Sequence, residues 1–259
     1  MTPRIWDLPL AAVDVETTGL DPRAGHRVIE VAVVRGRWGE TPVRYSTLIQ
    51  PGRPVAATEI HGITDDMLAG APLWTEVAPL VDHLLEGAVF VAHNARFDLS
   101  FLAMERHRAG QAPRIVEPLD TLGLARATLR IERHGLAHVL AHLGIARARA
   151  HRAEDDALAT WEAAWRMLEQ VDPERRLGVG AACALGRRND VVARRGLVDE
   201  LRARIGQPTL IEYAGTELTQ RAITPQRVSQ LKVVAWCHLR EAERVFRVDR
   251  IRVLGDPAS

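Results

Sequence analysis

The stretch Ala12-Val13-Asp14-Val15-Glu16-Thr17-Thr18-Gly19-Leu20-Asp21 constrains what this chain can fold into more than any other. Val13 and Val15 alternate with Asp14 and Glu16. That is the period of a strand, so the valines face a core and both carboxylates share the opposite face, about 7 Å apart. Like charges at that spacing repel and demand compensation. A hard divalent cation supplies it, because Mg²⁺ takes a few carboxylate oxygens and keeps its remaining positions for water and phosphate. A solvated edge of a half-buried strand carrying two unrelated acids would look the same, so the stretch by itself leaves both readings open.

With 259 residues, 47% hydrophobic and 26% charged, the chain has material for one large domain or for a medium and a small one. Met1 to Trp6 lacks a basic segment leading into an apolar run, and no run has the length of a membrane span. No signal peptide and no membrane partner are expected, and the expected location is cytoplasmic. Cys183 and Cys237 lie 54 positions apart, match no metal or redox spacing, and read as reduced buried thiols. The net charge of +1 conceals an asymmetry. From Asp172 onward there are 16 basic against 11 acidic residues, and before it 18 against 22. An acidic first part beside a basic second part suits a nucleic-acid partner, although genome base content also produces arginine-rich chains.

Residues 8–16 predict a strand that leaves through the turn 17–22, and 27–35 and 43–50 predict two more, forming an antiparallel meander. Thr64 is placed to cap a short helix through Met67, and 75–86 is amphipathic. Residues 88–92 predict a strand buried on both faces. Asn94 then caps a helix from Ala95 to about Arg108, with Asp98 in its first turn. A β-like piece over 114–119 and short helices near 120 and over 136–143 lead to a long helix, 153–170, with a stripe of Leu158, Trp161, Trp165 and Leu168. This order predicts an α/β domain with a mixed central sheet over 1–171. A linker and helix fill 172–206, and short β runs at 209–213, 222–224, 231–236 and 245–254 predict a small β domain over 207–259.

Four acids stand at strand ends or helix starts, where an open α/β sheet gathers its loops into a crevice: Asp14, Glu16, Asp98 and Asp156. Four carboxylates meeting there repel prohibitively without metal. With two divalent ions about 4 Å apart they become a site for in-line displacement at phosphorus. His151 fits as general base, since a neutral imidazole is available near pH 7. On one helix His151 and Asp156 would point about 140° apart, so His151 must lie in a loop or frayed turn.

Val13 to Gly19, His61-Gly62-Ile63-Thr64, His93 to Asp98 and His151 to Ala157 resemble, in order and spacing, the motifs of the DEDDh (DnaQ-like) 3′–5′ exonucleases, the group of the proofreading epsilon subunit. The resemblance covers roughly residues 8–170. It implies a ribonuclease H-like fold and two Mg²⁺ or Mn²⁺ ions. It makes Asp14, Glu16, Asp98 and Asp156 the metal-binding acids, His151 the general base, and Thr17, Thr18 and His61 holders of the terminal nucleotide. Phe101 reads as core.

Segments within 207–254 are similar to the WYL domain, a small Sm/SH3-like β module thought to bind nucleic acid or nucleotide ligands. The naming triplet is replaced by Leu231-Lys232-Val233. Tyr213, Arg221, Arg240, Arg244, Arg247 and Arg250, with Trp236, are candidates for a phosphate-tracking groove with stacking rings. The expected function is metal-dependent 3′–5′ exonuclease activity at single-stranded or frayed 3′ ends, DNA favoured, with a polymerase or a second copy of the chain as further partners. The alternatives are an exoribonuclease and a regulatory nucleic-acid-binding protein.

Overall fold

The structure, a computed structural model, describes residues 3–55, 58–114, 116–188, 192–214, 218–229, 232–248 and 251–257. It divides into two compact units, Met1–Thr128 with Gly135–Gly186, and Leu129–His134 with Arg187–Ser259. The first unit runs past the boundary expected near 171. Trp6 Nε1 donates to Asp172 Oδ2 at 2.6 Å, Arg4 forms a β-bridge with Gly178, and Cys183 Sγ contacts the Glu117 carbonyl at 3.7 Å. These long-range bonds hold the segment expected to begin a linker.

The first sheet contains β1 (Leu10–Thr17), β2 (Val28–Gly36), β3 (Val43–Leu48), β4 (Val89–Ala92) and β5 (Leu119–Asp120) in the order β3-β2-β1-β4-β5. β1–β3 form the expected antiparallel meander, and β4 and β5 add in parallel. Its helices are α1 (Thr58–His61), α2 (Asp65–Leu68), α3 (Trp74–Leu85), α4 (Arg96–Arg108), α5 (Thr121–Thr128), α6 (Leu136–Leu143), α7 (Ala153–Val171) and α8 (Val179–Arg188). The described residues include no helix long and apolar enough to cross a membrane.

β2 is buried at every position from Val28 to Val34, as a continuous apolar run should be. The acid-bearing face of β1 is no solvated edge either. α7 packs on β1, β2 and β4, so Asp14 and Glu16 lie half-buried between buried valines. α7 approaches closely because Ala153, Ala157, Ala163 and Ala164 are small, while Trp161, Trp165 and Leu168 fill the core at about 1.5–3 kcal/mol each. Leu158, expected in that stripe, is only half-buried.

Two local expectations fail for identifiable reasons. Asn94 does not cap α4, which starts at Arg96; Asn94 takes φ +70 and its N–H donates to Asp120 Oδ1 at 3.0 Å. The β-like piece 114–119 contributes only Leu119–Asp120 to the sheet. Thr64 does cap α2, accepting from Met67 N at 3.4 Å.

The second unit holds α9 (Val192–Ala203) and an antiparallel sheet of β6 (Thr209–Ala214), β7 (Leu218–Val228), β8 (Lys232–Cys237), β9 (Ala242–Arg247) and β10 (Ile251–Gly255), ordered β10-β6-β7-β8-β9. The run 245–254, expected as one strand, is two: it breaks around the buried Val248, and β9 and β10 end on opposite edges. Ile211, Ile223, Val233, Ala235, Cys237 and Phe246 form its core. Leu231 and Arg250 lie outside the described residues.

Candidate active site

β1 delivers Asp14 and Glu16, the first turn of α4 delivers Asp98, and the first turn of α7 delivers Asp156. Asp98 and Asp156 are buried. Gly144 closes α6 in the left-handed conformation, and the chain then loops through Arg147 to His151. His151 stands exposed outside α7, as its spacing from Asp156 requires, with φ +59. Ligand atoms of Glu16, His151 and Asp156 all lie within 4.8 Å of one another.

Each acid has a displaced proton affinity, and burial is the leading cause in every case. Asp14 is pushed well above the usual carboxylate range, first by burial and then by Asp98, Asp156, Glu16 and Glu30. Glu16 rises to about 7 through burial, Asp156 and Glu30, with Arg152 opposing. Asp98 rises to about 8 through burial, with Asp120 and Glu16 adding to it and the N–H groups of Asp98 and Val15 restraining it. Asp156 also rises through burial, held back by Arg147 and His151. Its Oδ1 accepts from Arg147 Nη1 at 2.9 Å and its Oδ2 from the His151 N–H at 3.3 Å.

Neighbouring like charges therefore stand out of water without enough opposing charge: five carboxylates, counting Glu30, face the guanidiniums of Arg147 and Arg152. Divalent cations are the compensation that such an oxygen-rich set with one imidazole fits.

Thr17, Thr18 and His61 are less available than expected. The Thr17 hydroxyl donates to the Gly19 carbonyl at 2.7 Å, and Thr18, 1% exposed, accepts from the Arg27 N–H at 3.0 Å. His61 is buried, with Nδ1 accepting from Ile63 N–H at 3.0 Å. Their hydroxyls and ring shape loops. A Cβ on Gly19 would fall 2.3 Å from the His26 ring, so a larger residue would have to displace that ring from a turn that presents Leu20 at 86% exposure. Phe101 is core, in ring contact with Phe97 at 4.9 Å.

Three residues escaped the sequence reading. Glu30 is the lone acid in the buried run of β2, which was a usable signal. Asp120 accepts from the N–H groups of Asn94 and Leu122, both at 3.0 Å, and so fixes the entrance to α4; it had no distinguishing pattern. Arg147 was one of many arginines.

Among the described residues of the second unit, the candidates for a groove divide between the two faces of the sheet. Tyr213 packs edge-on to the buried Phe246 with ring centroids 5.1 Å apart, and the Arg221 guanidinium lies 5.8 Å over its ring. Arg244, opposite Ala235, belongs to the same face as Phe246. Trp236 alternates with buried Ala235 and Cys237 and points to the outer face, as does Arg247, while Arg240 lies in the turn between β8 and β9. Period-two alternation thus sends the two rings to opposite faces.

The family model described as "Exonuclease" matches residues 11–164, and that of the WYL domain matches 206–254. The chain is similar to "DNA polymerase III subunit epsilon" of Treponema pallidum, 36% identical over 58% of this chain and 72% of that protein. It is 33% identical to "DNA polymerase III PolC-type" of Thermotoga maritima over 72% of this chain, spanning only 14% of that relative's length. Among solved structures, exonuclease X in complex with 5′ overhanging duplex DNA superposes with a TM-score of 0.55 at 23% identity, over 68% of this chain and 99% of that one.

Proposed function

This chain belongs to the exonuclease family, in its DEDDh group, and we propose that it hydrolyses the terminal phosphodiester at nucleic-acid 3′ ends, with DNA preferred. The observation that carries the reading is the convergence of Glu16, Asp156 and His151 within 4.8 Å, beside Asp14 and Asp98, which burial and mutual repulsion hold at raised proton affinities. Asp14, Glu16, Asp98 and Asp156 would hold two Mg²⁺ or Mn²⁺ ions. When bound, these polarise the phosphate and make water a better nucleophile.

The chain's own groups do the rest. His151, exposed at the mouth of the site, takes a proton from the attacking water. Arg147 and the His151 N–H keep both oxygens of Asp156 oriented. The rigid turn through Thr17 and Thr18 presents Leu20 as an apolar surface for a terminal base, and His61 shapes the neighbouring loop. The relatives named for DNA polymerase III favour DNA as the polymer.

The second unit grips the strand through the outer face of β7–β9. There Trp236, Val234 and Val245 form an apolar strip running from the Trp236–Glu243 rung to the Lys232–Arg247 rung, and Arg227, beside Val234, pairs with Glu243 at 3.6 Å. Trp236 is 40% and Val245 59% exposed. A stacking ring with flanking cations matches single-stranded nucleic acid. This face, together with Arg240 in the adjoining turn, replaces the groove expected from Tyr213, Arg221 and Arg244.

The test is shortening of 5′-labelled DNA and RNA oligonucleotides with Mg²⁺ or Mn²⁺, beside Asp14→Ala and His151→Ala. Shortening from the 3′ end, faster on DNA and lost in both variants, supports the reading. No shortening by the wild type, or equal activity in Asp14→Ala, overturns it, and faster RNA shortening overturns the DNA preference.

A further inference from the structure

We propose that Glu30 and Arg152 form a positioning pair for the reaction, in which Glu30 caps α7 from across the sheet and thereby sets His151 and Asp156 against Glu16. Glu30 lies directly opposite Glu16 in the β1–β2 register and is 2% exposed. Its oxygens are fully committed. Arg152 Nη2 donates to Oε1 at 2.8 Å and Nε to Oε2 at 3.3 Å, the Ala153 N–H donates to Oε2 at 3.1 Å, and Ser46 Oγ donates to Oε1 at 3.5 Å. It is thus an anchor and not a fifth metal ligand.

α7 needs this anchor because its own sequence supplies none. The N-cap position holds Arg152, whose side chain makes no capping hydrogen bond. Helix starts normally use Ser, Thr, Asp or Asn there, and their free N–H groups and dipole favour a carboxylate. Glu30 provides one from 123 positions away. His151, next in the chain, sits in the left-handed region at φ +59. A side-chain-bearing residue stays there only when its surroundings over-determine it. On one side Arg152 and Ala153 are tied to Glu30, and on the other the His151 N–H is tied to Asp156. Fold stability alone does not explain the pair, because well-packed apolar replacements of a buried ion pair are often as stable. Glu30 also adds repulsion to Glu16 that Arg152 has to offset.

The inference rests on the exonuclease reading, and the experiment separates the two. Full-length wild type, Glu30→Gln, Arg152→Gln, Arg152→Lys and the Glu30→Gln/Arg152→Gln double variant are compared by steady-state hydrolysis of a 5′-labelled trinucleotide and by Mn²⁺ binding measured with electron paramagnetic resonance. Circular dichroism verifies folding. Glu30→Gln and Arg152→Gln are expected to lower kcat by about 10–100-fold with KM within about twofold, and to weaken Mn²⁺ binding. Arg152→Lys recovers part of the loss, and the double variant is no worse than the weaker single one. Wild-type kcat and Mn²⁺ affinity in both folded single variants, a loss expressed wholly in KM, or multiplicative losses in the double variant overturn the pair. If Glu30→Gln does not fold, the two Arg152 variants decide. If the wild type itself cleaves nothing, the exonuclease reading fails, and unchanged Mn²⁺ affinity in Glu30→Gln then overturns the pair as well.

Discussion

The two units handle charge in opposite ways. In the first, Asp14, Glu16, Asp98, Asp156 and Glu30 are taken partly or wholly out of water and crowded at the ends of β1, α4 and α7. In the second, the charges stay outside a core of Ile211, Ile223, Val233 and Phe246, and Lys232, Arg227 and Arg247 share the outer face of the sheet with an exposed tryptophan. Crowded buried acids are expensive unless a cation or a specific donor answers each of them. Solvated arginines cost little and constrain little. The first arrangement suits chemistry at a fixed point, the second a sequence-tolerant grip.

The comparison breaks most decisively at Asp14. Asp14→Ala should lower 3′-end hydrolysis by on the order of 10³-fold while leaving affinity for a long single strand within about twofold, as gel-shift titration in EDTA would measure. Equal losses of both would mean that the units do not divide the work. Next, His151→Gln should cost about 10²-fold or more in kcat, with Mn²⁺ affinity much less affected.

Metal removal tests the crowding itself. Glu16, raised from 4.5 to about 7, and Asp98, raised from 3.8 to about 8, are easier to protonate folded than unfolded. Their contribution to stability is complete below about pH 4 and is lost as pH rises through 7 to 8. In EDTA the melting temperature of the first unit should therefore fall between pH 5 and pH 8.5. Mn²⁺ at 100 times its pH 8.5 Kd should restore about 2.7 kcal/mol at pH 8.5, and the same concentration should restore less at pH 5, where protons compete for the carboxylates. A flat profile in EDTA would show that the acids are already compensated. At the second unit, Trp236→Ala should weaken binding of a long single strand by about 10-fold and leave trinucleotide hydrolysis unchanged. Lys232→Gln, the smallest effect, should lower the slope of log affinity against log salt by about one.

Much of the first unit was legible because its elements obey simple periods. The buried run of β2 and the alternation in β1 stated their own burial, and acids in such company needed an explanation. The meander, the buried β4 and the position of His151 outside α7 followed from local rules. What was not legible depended on partners far away in sequence. That Thr18 would be buried with its hydroxyl accepting from the Arg27 N–H could not be read from its motif. Asn94 looked like a cap, but it sits at φ +70 one residue before the N-cap position, which Ala95 takes. Tyr213 and Trp236 looked like one stacking surface until the strand register placed them on opposite faces. The charge asymmetry of the second half was visible, but which arginines share a face is a matter of register, and charge composition carries no register.

The remote cap on α7 also bears on when this protein becomes able to cut. Glu30 and Arg152 are 122 positions apart, and the acids at 14, 98 and 156 also come from widely separated stretches. Contacts so distant in the chain must wait for loop closures that nearby ones do not need. A chain partly unravelled holds every residue the reaction requires and none of their arrangement. The acids meet only when all of these closures are made, so the site is a property of the completed fold.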